Sequence, residues 1–97
     1  MPTYIILMKL TDQGMKDIKN APQRIEDAVK GLETVGGKLE VFYSVMGEYD
    51  YVAVGECPSD EDALTFLLLL GSLGNVRTTT LKAFNKEEFT EMVRKLP

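Results

Sequence analysis

The segment Thr3–Leu10 is apolar on both of its alternating faces. Its β-branched and aromatic residues, bounded by Pro2 and by the turn-prone run Thr11–Gly14, predict a β-strand. One face carries Tyr4, Ile6, Met8 and Leu10, and the other carries Ile5 and Leu7. Such a strand is buried on both sides, so the fold must place an apolar layer on each face of its sheet.

The rest of the chain predicts further strands and helices in alternation. Glycine marks the helix ends, at Gly36-Gly37 for the first long helix and at Gly71 and Gly74 for the second. The predicted elements, in chain order, are the strand Thr3–Leu10, a short helical turn over Met15–Asn20, a helix from Pro22 to Val35, the strands Lys38–Val45 and Tyr49–Glu56, a helix capped by Ser59, the strand Val76–Phe84 and a final amphipathic helix capped by Asn85.

This order is β-α-β-β-α-β followed by one more helix. Right-handed crossovers fold it into a ferredoxin-like α+β sandwich, with an antiparallel sheet of strand order 4-1-3-2 and both main helices on one face. The length of 97 residues is that of one domain, so we expect residues 1–97 to form a single unit.

Two helices cover only one face of such a sheet, which indicates self-association. In the second strand, Leu39, Val41 and Tyr43 alternate onto one face and Phe42 onto the other. The final helix could cover part of the second face, and a second sheet could cover all of it. We therefore expect a homodimer or higher oligomer, built as a dimeric α/β barrel with a cavity between subunits. The apolar run Phe66–Leu70 either supplies another contact or is deeply buried.

Composition excludes several classes of function. The formal charge is −4 with basic residues scattered, which argues against nucleic acid and against anionic membranes as partners. The absence of histidine excludes catalytic triads and the commoner zinc sites, and no motif for a metal or cofactor is present. The single cysteine, Cys57, and an amino terminus without signal-peptide features lead us to expect a cytoplasmic protein.

The segment Gly47-Glu48-Tyr49-Asp50 carries a resemblance to a known family. Together with LTDQGMKDIKNAPQR, GGKLEVFYSVMGEYDYVAVGE and LGSLGNVRTTTLKAF, it resembles the GYD-domain family over nearly the whole chain. The resemblance implies a ferredoxin-like fold related to dimeric α/β barrels. It implies no activity, because that family has none established.

The strand order predicts where polar side chains meet. The end of the first strand, the hairpin turn and the start of the fourth strand lie at one end of the sheet, so we expect a small carboxylate or carbonyl ligand to bind there. Asp50, if partly buried, is a candidate general base. In the alternative interpretation, Asp50 and Arg77 pair with each other or cap turns. The candidate ligand-binding residues are Lys9, Tyr49, Asp50, Tyr51, Arg77 and Thr79.

Three functions remain open at this point. The first is a small-molecule-binding or sensing module with its ligand at or near the inter-subunit sheet face. The second is a cofactor-free isomerase or oxygenase of the dimeric α/β-barrel type, and the third is a purely structural assembly subunit. The missing histidine favours the first and third, and the fold alone does not rank them.

Overall fold

The structure, a computed structural model, describes the whole chain from Met1 to Pro97. The elements, in chain order, are β1 (Thr3–Leu10), α1 (Asp12–Lys16), a 3-10 turn (Ile18–Asn20), α2 (Ala21–Thr34), β2 (Lys38–Ser44), β3 (Tyr51–Glu56), α3 (Asp60–Ser72), β4 (Val76–Ala83) and α4 (Lys86–Arg94). Every predicted strand and helix is present. The boundaries differ by one or two residues, except that the predicted turn over Met15–Asn20 is a short helix followed by the 3-10 turn.

The four strands form one antiparallel sheet of order β2-β3-β1-β4, which confirms the predicted order 4-1-3-2 read from the other edge. β1 is central, as its two apolar faces require. Its residues Tyr4, Ile6 and Met8 are buried in one cluster with Leu32 of α2 and Phe66 of α3. Both long helices therefore lie on the same face of the sheet, and the fold is the expected ferredoxin-like sandwich.

The helix starts follow the predicted capping chemistry. The Ser59 side chain accepts a hydrogen bond from the Asp62 backbone N–H at the start of α3. Asn85 and Glu88 form a reciprocal capping box at the start of α4. Because each cap satisfies backbone donors that the first turn leaves free, these side chains set where the helices begin.

A β-bulge in β2 overturns the predicted faces of that strand. Leu39 pairs with Gly55 and Val41 pairs with Val54, so Glu40 is an extra residue in the ladder. After one extra residue every following side chain changes face. Phe42 consequently joins Leu39 against the core. The prediction that Leu39 shares a face with Val41 and Tyr43 is therefore wrong, whereas Phe42 does lie opposite those two residues.

The face of the sheet opposite the helices is called here the open face. Strand alternation and register place on it the apolar residues Ile5, Leu7, Val41, Tyr43, Val52, Val54 and Leu81. Tyr43 is 62% exposed and Leu81 is 48% exposed, and the others are half-buried or exposed. Nothing within the chain covers this face.

The final helix, α4, stands apart from the rest of the chain. It makes no substantial contact with any other helix or strand, and its apolar residues Phe89, Met92 and Val93 are exposed. The radius of gyration is 14.8 Å, against about 12.5 Å for a compact chain of this length. The possibility that α4 covers the open face of its own sheet is therefore wrong. None of the helices is long and apolar enough to cross a membrane.

Candidate functional site

The end of the sheet predicted from the topology is assembled as expected. The backbone N–H of Leu10 donates to Asp50 Oδ2 at 2.8 Å, and the N–H of Asp50 donates to the Met8 carbonyl at 2.9 Å. The N–H of Thr11 donates to the Asn75 carbonyl at 3.0 Å. These bonds join the end of β1, the turn before β3 and the start of β4.

Asp50 and Arg77 do not pair with each other. One carboxylate oxygen of Asp50 holds the Leu10 N–H, so this side chain caps the end of β1. The Arg77 guanidinium donates to the carbonyls of Gly71, at 3.2 Å, and Val76, at 3.0 Å. The ion-pair alternative is therefore wrong and the capping alternative holds for Asp50, while the ligand role of both residues stays a prediction.

Lys9 forms a loose polar cluster with the hairpin turn. Its Nζ lies 3.6 Å from Glu48 Oε1 and 5.4 Å from the centre of the Tyr49 ring. The Lys9 and Glu48 side chains are 52% and 72% exposed, and an ion pair as exposed as this contributes at most about 1 kcal/mol. An incoming anion can therefore replace Glu48 as the partner of Lys9 at small cost.

The six candidate ligand-binding residues do not share one face. Lys9 and Arg77 are directly opposed across β1 and β4, and Thr79 lies two residues along β4; all three are on the open face. Tyr51 pairs with Met8 on the helix-covered face and is only 8% exposed. Because one step along a strand reverses the face, Tyr51 cannot join the others in a single pocket.

Gly47 in the hairpin turn has φ +119°, a backbone angle that residues with a Cβ rarely adopt. A side chain placed there would meet no other atom within 4 Å. The turn therefore requires glycine for its backbone conformation.

A cavity of about 270 Å³ lies on the helix-covered side and contains neither Asp50 nor Arg77. It is bounded by the first half of α2, the last turn of α3, the ends of β1, β3 and β4, and Phe42 of β2. The sequence analysis missed it, because a gap between packed elements has no signature in the order of residues. Its lining residues are Met8, Leu10, Ala21, Arg24, Ile25, Asp27, Phe42, Tyr51, Leu70, Leu73, Asn75 and Val76.

A second polar cluster, also missed, ties β1 to α3 and β4. The Tyr4 hydroxyl donates to Asp60 Oδ1, and Lys82 Nζ lies 3.0 Å from the same carboxylate oxygen. Burial, followed by the hydrogen bond to Asp60, raises the pKa of Tyr4 to about 12. The hydrogen bonds from Tyr4 and Lys82 lower the pKa of Asp60. Asp60 therefore serves the fold by linking β1, α3 and β4.

Cys57 is a free cysteine and is buried, with 3% of its surface exposed. Burial, reinforced by the charge of Asp62, raises the pKa of the Cys57 thiol. A buried thiol with a raised pKa has little reactive thiolate at neutral pH.

Comparison with known proteins identifies relatives of the same size as this chain. It is 38% identical over 84 residues to a Thermus thermophilus protein named glutamine synthetase and cystathionine beta-lyase binding protein, covering 86% of this chain and 88% of the relative. The crystal structure of TTHA0845 from Thermus thermophilus is 25% identical, with a TM-score of 0.57 over 88% of this chain and 95% of that one.

The same fold occurs in regulatory proteins. The feast or famine regulatory protein Rv3291c of Mycobacterium tuberculosis, solved in complex with L-methionine, matches with a TM-score of 0.58 at 24% identity. The match covers 89% of this chain and 52% of the regulator, so the chain corresponds to about half of that protein. The model of the GYD domain matches residues 4–93, and the chain belongs to the GYD domain family.

Proposed function

We propose that this chain is a homo-oligomeric binding module that holds a small carboxylate or carbonyl compound against its open face, closed by a second copy of the chain. The observation that carries the proposal is the make-up of that face. An apolar floor from β1 and β3 ends at two exposed cations, Lys9 and Arg77. The floor residues are Ile5, Leu7, Val52 and Val54.

A second copy is the occupant that best fits the open face. The apolar residues of four strands lie side by side there, and a soluble monomer rarely leaves such a patch uncovered. Two identical faces satisfy each other through a two-fold axis without any further partner. The exposed apolar side of α4 belongs to the same chain and supplies additional area for the same contact.

The ligand class follows from the charges at one end of the floor. Arg77 uses one guanidinium nitrogen for the carbonyls of Gly71 and Val76, which leaves its other N–H groups to donate to a carboxylate. Lys9 adds a second positive charge on the opposed strand. The hydrocarbon part of the ligand then lies on the valine and leucine floor. The relative that is 38% identical is itself named as a binding protein, which supports a binding role.

The oligomer is tested by sedimentation or light scattering at micromolar concentration. We expect a dimer or larger assembly for the wild type and a folded monomer for Val54→Lys, which places a charge in the centre of the open face. Leu64→Lys, on the exposed side of α3, is the matched control and should associate normally. A wild-type monomer, or dissociation by the control alone, would refute the role of the open face.

The ligand is tested by thermal shift with a panel of small aliphatic carboxylates and 2-keto acids, each paired with its neutral amide. A compound that binds the folded state raises the melting temperature. We expect carboxylates to stabilise more than their amides, and Arg77→Thr to abolish that difference. If no member of the panel shifts the wild type, or if amides act as well as carboxylates, the proposed ligand class is wrong.

A second function is supported by the exposed leucines of α3. Only Ala63 and Phe66 of this helix are buried, so the interpretation of the run Phe66–Leu70 as deeply buried is wrong. Four leucines are 45–65% exposed, and they are called here the α3 leucine strip: Leu64, Leu68, Leu69 and Leu73. The strip lies on the side away from the open face and stays accessible when two open faces meet.

The relative that is 38% identical is named for binding two enzymes, glutamine synthetase and cystathionine beta-lyase. The second proposal is therefore that the α3 leucine strip docks on an enzyme of this kind. Surface plasmon resonance with both purified enzymes, taken from the organism that encodes this chain, tests it. Leu68→Glu should abolish binding, while Met46→Glu, at a fully exposed turn residue, should not. Equal binding by both variants would exclude the strip.

A further inference from the structure

We propose that the cavity between α2, α3 and the sheet is a second binding site, for a neutral and mainly apolar molecule that carries one hydrogen-bonding oxygen. This site lies on the opposite side of the sheet from the open face. Its test is therefore independent of the function proposed above.

The size and lining of the cavity suit a small ligand. Its volume of about 270 Å³ is close to the lower end of the range of about 300–1,000 Å³ typical of small-molecule sites. Nine of the twelve lining residues are hydrophobic, and a site of this type binds the apolar body of a ligand while a few polar groups orient it.

Tyr51 supplies the orienting group. It is 8% exposed and lines the cavity, and its ring packs on Phe42 with the ring centres 5.2 Å apart. The Tyr4 hydroxyl donates to Asp60. The Tyr51 hydroxyl, in contrast, has no hydrogen-bond partner in the chain. The Tyr51 hydroxyl is not sealed from solvent, since Thr80 Oγ1 is the only buried side-chain oxygen or nitrogen without a partner. It is therefore free to donate to the oxygen of a ligand that enters the cavity.

The charges around the cavity favour a neutral ligand. The Arg24 guanidinium already has partners in the chain, because its Nη1 lies 2.9 Å from Asp17 Oδ2 and its Nη2 lies 3.0 Å from the Gly14 carbonyl oxygen. Asp27 adds a negative charge to the lining. The positive charge of Arg24 is thus offset by these two carboxylates. A carboxylate ligand would therefore find no net positive charge in the cavity to replace its hydration by water. The two sites consequently differ in ligand class, with an anion on the open face and a neutral oxygen compound in the cavity.

Three probes of nearly the same shape test this inference: acetophenone, its hydrocarbon counterpart ethylbenzene and its anionic counterpart benzoate. Titrations are followed by ¹H–¹⁵N NMR on the full chain. We expect saturable shifts centred on the cavity residues with acetophenone and ethylbenzene, and much weaker shifts there with benzoate. Absence of saturable shifts with acetophenone, or preferential binding of benzoate in the cavity, would overturn the proposal.

Two variants locate the site. Leu73→Trp, at the carboxyl-terminal cap of α3, places a large ring at the edge of the cavity and should abolish acetophenone binding. Leu64→Trp, within α3 and outside the cavity, should leave that binding intact. Tyr51→Phe removes only the hydroxyl and should weaken acetophenone about 3- to 10-fold while leaving ethylbenzene unchanged. Should Leu73→Trp fail to fold, the Tyr51→Phe comparison stands by itself. Equal effects of Tyr51→Phe on both probes would show that the hydroxyl makes no bond to the ligand, which would overturn its orienting role.

Discussion

Lys9 and Arg77 occupy directly opposed positions in the register of β1 and β4, on the face of the sheet that no helix covers. Like charges at directly opposed positions destabilise a strand pair. In the free chain this repulsion is reduced, because Lys9 Nζ lies 3.6 Å from Glu48 Oε1 and the Arg77 guanidinium donates to the carbonyls of Gly71 and Val76. The proposed ligand would bring an anion to the same pair of cations.

The first prediction separates a structural role of these cations from a binding role. Lys9→Thr and Arg77→Thr should each change the free energy of unfolding by less than about 0.5 kcal/mol, because both side chains are exposed and threonine suits a strand. Urea denaturation followed by circular dichroism measures this. A loss of more than about 2 kcal/mol in either variant would show that the residue is needed for the fold.

The second prediction concerns Asp50. Asp50→Ala should lower the free energy of unfolding by about 1–3 kcal/mol, because the partly buried N–H of Leu10 then loses its charged acceptor. Asp50→Asn keeps an acceptor oxygen and should cost less. The same urea titrations check both variants, and equal stability of Asp50→Ala and the wild type would contradict the capping role.

The third prediction rests on the close approach of Gly14 to Asn75, the residue before β4. A Cβ at Gly14 would lie 2.2 Å from the Asn75 carbonyl oxygen, a backbone atom that also accepts the Thr11 N–H. Gly14→Ala should therefore destabilise the fold by about 2–4 kcal/mol through forced displacement of backbone.

Gly71 offers the matched control for this substitution. It lies in the last turn of α3, and a Cβ there would meet no atom within 4 Å. Gly71→Ala should be neutral or stabilise the helix by up to about 1 kcal/mol. Thermal melts of the two alanine variants side by side test the pair, and similar melting temperatures would contradict the argument.

The fourth prediction is a dependence on alkaline pH. Burial and the bond to Asp60 raise the pKa of Tyr4 from 10.0 to about 12, so the folded chain favours the neutral phenol. The contribution of the neutral Tyr4 phenol to the free energy of unfolding is complete below about pH 10 and is lost as the pH rises through about 12. Wild type should thus lose stability relative to Tyr4→Phe in urea titrations above about pH 10. A difference that stays constant from about pH 8 to about pH 12 would contradict the shift.

The architecture could be predicted from the sequence because the hydrophobic patterns of the individual segments and the rule of right-handed crossovers indicate the same fold. The strand Thr3–Leu10, the caps at Ser59 and Asn85, and the sheet order all match the structure. The placement of Leu39 opposite Val41 and Tyr43 could not be predicted in this way. A bulge at Glu40 adds one residue to β2, and the sequence around it alternates as cleanly as an unbroken strand.

The positions of the candidate residues were predicted in part. Strand order correctly brought Asp50 to the end of β1, since that follows from topology alone. Grouping Tyr51 with Lys9 ignored the fact that Tyr51 pairs with Met8, one residue before Lys9, on the opposite face. The cavity beside Tyr51 depends on how side chains of six elements pack, which no single segment encodes.

The isolation of α4 has a consequence for experiments on assembly. A free helix of nine residues is shorter than the roughly 12–15 residues that hold together in water, even when its first turn is well capped. Its helical content should therefore depend on whether another subunit shelters Phe89 and its neighbours. The helical signal in far-ultraviolet circular dichroism should then decline as the protein is diluted and subunits separate. The carboxyl-terminal segment would thus report on the monomer–oligomer equilibrium without any added label.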